Sequence, residues 1–150
     1  MRVTDYFSGI NRVKTADNAE SWLLEYGNKK LLAIRYQNMM AGVSSPKYDG
    51  MPKGHHNNNA TEDKMIEVVD KHHEVVEYMR ITEQVIESIE NDDMRLILTK
   101  KYLTEGNNDV DIMNEIHLGK SAYYDMRRDA LNLFAFIFPP FIKKMIVNKS

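Results

Sequence analysis

Residues 94–138 read MRLILTKKYLTEGNNDVDIMNEIHLGKSAYYDMRRDALNLFAFIF, and the spacing of their apolar residues decides the fold. Asn91-Asp92-Asp93, just ahead, breaks the preceding helical pattern and caps a helix from Met94 to about Leu103. Met94, Ile97, Leu98 and Leu103 form its inner face. Glu105-Gly106-Asn107-Asn108 has turn composition. Asp109 is expected to cap a short helix whose apolar residues are Val110, Ile112, Met113 and Ile116. Leu118-Gly119 then turns the chain. The last helix begins near Lys120 and stops before Pro139-Pro140, because proline cannot continue a helix. Along it Tyr123, Met126, Ala130, Leu133, Phe134 and Ile137 recur at three- and four-residue steps, which places them on one side.

A long helix, a helix of two turns, a tight turn containing glycine and a second long helix make the layout of a helix-turn-helix. In that layout the last helix enters the major groove of DNA by its N-terminal part. With Tyr123, Met126, Ala130 and Leu133 inward, Lys120, Ser121, Tyr124, Asp125 and Arg128 face outward, and Arg127 sits on the flank. Lys120 and Arg128 suit phosphate or guanine O6 and N7, while Ser121 and Tyr124 suit phosphate or a base edge. Asp125 would repel phosphate, so it either accepts from a cytosine amine or pairs with a neighbouring arginine. The plainer alternative is an ordinary three-helix core with a solvated basic end.

Charge along the chain is uneven. Residues 61–93 carry 3 Lys and Arg against 11 Asp and Glu, while residues 94–150 carry 9 against 6. A polyanion would meet the last segment and be repelled by the middle one. Residues 1–60 carry 8 against 5.

Working outward toward the N-terminus, Thr61 is expected to cap a helix running to about Glu90, with Glu62 and Asp63 in its first turn. Met65, Val69, His72, Val76, Met79, Glu83 and Ile86 follow coiled-coil spacing, and Val68, Val75, Thr82 and Ile89 widen the stripe. A second helix is expected from a cap at Asp17 or Asn18 to about Ala41, interrupted by Gly27. The two fold back antiparallel, or the longer one pairs with a second copy of the chain. Residues 42–60 read as a loop, within which 45–54 either clasps the helices through Tyr48 and Met51 or contacts another protein. The tail FIKKMIVNKS is amphipathic and basic, which suits a short docking helix or a membrane-surface segment.

The expected fold is therefore all-α: residues 1–92 as a helical region built on an antiparallel pair of long helices, 93–138 as a three-helix helix-turn-helix domain and 139–150 as a tail. No apolar run approaches the ~20 residues that span a bilayer, and no signal peptide is expected. Cysteine is absent, which excludes disulfides, thiolate metal sites and a cysteine nucleophile and fits a reducing cytosol. His55-His56 and His72-His73 complete no ligand spacing with Glu74 and Glu77, so no metal or cofactor is expected. Nothing gathers a nucleophile, a base and an oxyanion donor, so no enzyme is expected. Glu83, Glu87 and Glu90 share one face, which is solvated or docks a basic partner such as RNA polymerase.

The stretch from Arg95 to Ala135 resembles the C-terminal domain of the ArpU/RinA-like regulators of bacteriophage late genes, itself similar to region 4 of bacterial sigma factors. Arg95, Leu98, Tyr102-Leu103, Ser121, Tyr123-Tyr124, Met126-Arg127-Arg128, Ala130-Leu131 and Phe134-Ala135 carry the resemblance. The Asp-Gly-Met-Pro segment at 49–52 is similar to one in phage proteins with this domain. Asp125 and Gly119 depart from the pattern, where a basic or polar residue and a capping serine are commoner. The resemblance implies a protein of a phage or prophage, in the cytoplasm of its bacterial host, that binds double-stranded DNA and activates packaging, structural or lysis genes; a homodimer formed through the long helices is one arrangement that would do so. A small terminase subunit, which binds DNA for genome packaging, is the alternative.

Overall fold

The computed structural model describes residues 7–43 and 58–150, and every extended element in them is helical. In chain order they are α1 (Arg12–Leu23), α2 (Tyr26–Val43), α3 (Asn58–Glu87), α4 (Asp92–Leu98), α5 (Asp109–Ile116) and α6 (Lys120–Ile137), with a π-helical turn over Thr99–Leu103 after α4. The chain divides into two compact units: residues 7–27 with 81–150, and residues 28–43 with 58–80. The division falls inside α2 and inside α3.

The first unit is built around α6, against which α1 and α4 pack. Ala16 and Ala19 on α1 and Ala130 and Ala135 on α6 are small and buried, which lets helix backbones approach closely. Leu23, Val85, Ile89, Leu98, Phe134 and Met145 fill the rest of this core. Three polar residues are buried with it, and hydrogen bonds offset that cost. Thr82 Oγ1 accepts from Trp22 Nε1 at 2.8 Å, Asn132 Nδ2 donates to the Arg12 and Arg128 carbonyls, and Thr15 binds Val147.

This unit corrects four expectations. The expected boundary between 92 and 93 falls within it, because α1 completes the core around α6. The helix expected from Asp17 or Asn18 to Ala41 is two helices. It starts at Arg12 because the Asn11 side chain accepts from the Lys14 amide at 3.1 Å, while the Asn18 amide donates to the Met145 carbonyl. It ends at Leu23 by tightening, with the Glu25 amide reaching the Trp22 carbonyl at 3.3 Å, and both Leu23 and Tyr26 are then buried. Residues 139–150 are extended after a turn rather than a docking helix. Ile10 and Asn148 form an antiparallel bridge, and the Asn11 amide donates to the Val147 carbonyl at 2.7 Å. Finally, the 3.6-residue pattern from Met94 to Leu103 widens at its end into the π turn, which aims Tyr102 into the core.

Asn91 caps α4 as its position implies, accepting from the Met94 amide at 3.0 Å. Arg95 reaches back across the break. Its guanidinium donates to the carbonyls of Ile89 and Glu90, which the end of α3 leaves without helical partners, and it pairs with Asp92.

In the second unit α3 begins at Asn58, three residues before Thr61. Val75 and Tyr78 are buried, and Met65, Val68 and His72 are half-buried on the same side. Val69 and Val76, expected in the seam, are exposed instead. The Lys29 ammonium lies 5.6 Å above the Tyr78 ring. Of the expected 42–60 loop, residues 42–43 and 58–60 are helical; Tyr48, Met51, His55 and His56 lie outside the described residues.

Thr15→Val keeps the side-chain volume but removes both hydrogen bonds to Val147. We expect a loss of about 1–3 kcal/mol in denaturant unfolding, with faster amide exchange at Val147. Unchanged stability and exchange would show that the tail is not anchored there.

Candidate nucleic-acid interface

Asn108, rather than Asp109, caps α5. Its side chain accepts from the Asp111 amide at 2.8 Å, and Asp111 accepts in return from the Asn108 amide. That frees the Asp109 carboxylate for other partners. The helix ends at His117, whose φ of 58° lies in the left-handed region. The Leu118 amide closes back on the Met113 carbonyl, and Gly119 then starts α6 without a side-chain cap. The reversal thus depends on His117 in a conformation that glycine or asparagine adopts more readily.

Ile97 of α4, Ile112 of α5 and Tyr123 of α6 are fully enclosed and form a small second core, edged by Met113, Ile116, Leu118 and Met126. Tyr123 is anchored at its polar end, where its hydroxyl donates to Asp109 Oδ1 at 2.6 Å. The first turns of α6 are thereby held by packing on one side only. Lys120, Ser121, Asp125 and Arg128 are exposed on the other, and Tyr124 remains 37% accessible. Asp125 takes part in no ion pair among the described residues.

Arg127 is placed differently from those five. It turns inward, pairs with Glu20 of α1, approaches Asp109 of α5 at 3.7 Å, donates to the Tyr102 hydroxyl at 3.3 Å and stacks 5.8 Å from the Tyr124 ring centre. Tyr102 also donates to Glu20, and Lys101 contacts Asp109 at 3.3 Å. The physical reason is charge: two carboxylates enter this half-buried space, and a guanidinium has the donors to serve both. Arg127 therefore orients Tyr124 and joins α1 to α6 instead of standing with the exposed set.

The carboxylates respond to these partners. Burial alone would raise the Glu20 carboxyl, but hydrogen bonds from Tyr102 and Arg127 and the Arg127 charge outweigh it and hold it below its ordinary value. For Asp109 burial also pulls upward and is outweighed by the Tyr123 and Lys101 hydrogen bonds. Burial pushes the Tyr102 and Tyr123 hydroxyls upward, and their carboxylate partners add to it, so both phenols stay protonated donors.

Beside the exposed face, a cleft of about 170 Å³ runs between α1 and α6, lined by Val13, Asp17, Glu20, Tyr124, Arg127 and Arg128. Asp17 and Glu20 bring negative charge to its α1 side. Sequence reasoning missed Glu20, Tyr102 and Asp109 as supports of this surface. The pair Asn108 and Asp111, three residues apart, was the available signal that Asp109 was free of capping. Nothing local pointed to Glu20. Among the described residues no group of three His, Asp or Glu side chains is arranged to hold a metal ion, and no helix is long and apolar enough to cross a membrane.

Glu20→Gln is expected to lower stability by about 1–3 kcal/mol at pH 7, because it leaves a half-buried guanidinium underpaired. A carboxyl depressed by folding contributes above its unfolded pKa of about 4, and that contribution fades as pH falls through the folded value. The gap between wild type and variant should therefore close below pH ~4. A gap that persists undiminished at low pH would show that the pair is not the source of the effect.

Set against known sequences, residues 43–134 match a family model described as a protein of unknown function, DUF1492. No curated protein and no solved structure matches the chain. The matched segment takes in α3, α4, α5 and most of α6, more than half of the sequence. On that match the chain belongs to the DUF1492 family.

Proposed function

We propose that this chain is a sequence-specific DNA-binding transcriptional regulator of a phage or prophage, in which α4 with its π turn, α5 and α6 act as the helix-turn-helix. The observation that carries the reading is the exposed start of α6. Two turns of helix stand on a small rigid core, after a three-residue reversal, and present Lys120, Ser121, Tyr124 and Arg128 together. That is the shape and chemistry that a major groove accepts. In this reading α5 crosses the phosphate backbone. Lys120 at the helix start contacts phosphate, Arg128 reaches phosphate or guanine, and Ser121 and Tyr124 complete the contact. Asp125, free of arginine partners, accepts from a cytosine amine. Arg127 contributes by holding Tyr124 in place.

The resemblance to late-gene regulators supports an activator of packaging or lysis genes. Glu83 and Glu87 on α3 and Glu90 just after it are all exposed, and this acidic surface suits a basic patch on RNA polymerase.

Genome-wide footprinting in the host tests the role. Signal upstream of a morphogenesis or lysis block supports it, and signal at a packaging start site points to a packaging factor instead. On a fragment so identified, Arg128→Ala should weaken binding by about 1–3 kcal/mol if it reads a base, or reduce the salt slope by about one unit if it holds phosphate. Fluorescence anisotropy over a range of salt measures both. If neither moves, Arg128 is not a contact.

A further inference from the structure

Four charged side chains line the cleft between α1 and α6: Asp17, Glu20, Arg127 and Arg128. Glu20 and Arg127 pair with each other, so their charges cancel. Asp17 and Arg128 are both exposed and share the cleft without pairing, and neither enters an ion pair among the described residues. Lys14, three residues before Asp17, does not line the cleft. Two carboxylates also neighbour Arg128 on α6. Asp129 is engaged by Arg12 at 3.2 Å, whereas Asp125, three residues before Arg128, has no such partner.

Both walls of the cleft are held. Ala16 and Ala19 are buried on either side of Asp17, and the Asn18 side chain donates to the Met145 carbonyl at 2.9 Å. On α6 the Arg128 carbonyl accepts from the buried Asn132 at 2.9 Å. The carboxylate of Asp17 is therefore a fixed feature beside the exposed guanidinium. It comes from α1, which lies outside the proposed helix-turn-helix and outside the matched segment 43–134.

A guanidinium on a phosphate brings a full negative charge to the mouth of the cleft. On guanine it meets only the partial charges of O6 and N7. A carboxylate beside the guanidinium opposes the first contact more than the second. We propose that Asp17 is a specificity-determining residue of the DNA contact: it disfavours phosphate at Arg128 and leaves that guanidinium to read a guanine edge. This rests on the DNA-binding reading of α6 and adds to it a residue from outside the motif. Asp17 acts through Arg128 and makes no DNA contact of its own.

The full chain is first used to enrich a duplex from a random-sequence library. Fluorescence anisotropy then compares that duplex with a random-sequence one of equal length, from ~50 to ~200 mM salt. Asp17→Asn should tighten binding to random sequence by about three- to tenfold and steepen its salt slope by about one unit. Binding to the enriched duplex should change by less than about twofold, so discrimination falls. In the wild type, Arg128→Ala should relax the preference for one guanine; in the Asp17→Asn background it should abolish the gain on random sequence. Asp17→Glu should behave as wild type. Glu25→Gln, which removes the same charge from an exposed position that does not line the cleft, should leave discrimination unchanged. If Asp17→Asn fails to fold by circular dichroism, Asp17→Ser removes the charge in its place. Unchanged discrimination and slope, a gain that survives Arg128→Ala, an equal gain from Glu25→Gln, a guanine preference indifferent to Arg128, or an Asp17→Glu variant that behaves like Asp17→Asn overturns the role of Asp17 and leaves DNA binding standing. A wild type that enriches no sequence removes the DNA-binding reading itself, and this role with it.

Discussion

The ion pair between Glu20 and Arg127 is the contact on which the first unit's arrangement depends. It joins α1 to α6, and through the same two side chains it touches Tyr102 of the π turn and Asp109 of α5. Removing charges from water is costly, and a half-buried pair is retained only when hydrogen bonds satisfy what the partner does not. Here the Tyr102 hydroxyl does so for the pair, while Tyr123 and Lys101 serve the neighbouring Asp109 carboxylate. The result is a polar hub beside two apolar cores. It sets the inclination of α6 from one side, while the cluster of Ile97, Ile112 and Tyr123 sets it from the other.

That division of labour separates two neighbouring arginines. Arg127 and Arg128 are chemically identical and adjacent, yet one is committed to the interior and the other stands exposed. Helical geometry turns them about 100° apart, and the carboxylates of α1 and α5 take the nearer one. The exposed remainder is mixed in sign, since Asp125 lies among Lys120, Ser121, Tyr124 and Arg128. A surface of that kind suits recognition of particular edges better than general attraction to phosphate.

Much of α4, α5 and α6 was legible in the sequence because its causes are local. Asn91 caps α4, proline ends α6, and Tyr123, Met126, Ala130 and Phe134 mark the inner side by their spacing. The all-helical character followed from the same periodicities. What was not legible depends on partners distant along the chain. Glu20 meets Arg127 across 107 positions, and no spacing rule reaches that far. The membership of α1 in this unit, the extended tail along residues 9–11 and the inward turn of Arg127 all have that origin. Val69 and Val76 illustrate another limit: periodicity shows that a helix has two apolar stripes but not which of them its nearest neighbour covers.

The distance between α1 and its partners also governs the order of assembly. Helix α1 leaves the ribosome about a hundred residues before α6, so at ~5–20 residues per second it waits on the order of 5–20 s. Through that interval Ala16, Ala19 and Leu23 lack the α6 side of their core, and closure must then draw together segments about a hundred residues apart. A helical protein of this size would ordinarily owe its speed to short-range contacts. This unit ties α1 to α6, and so its core is completed only after α6 has been made.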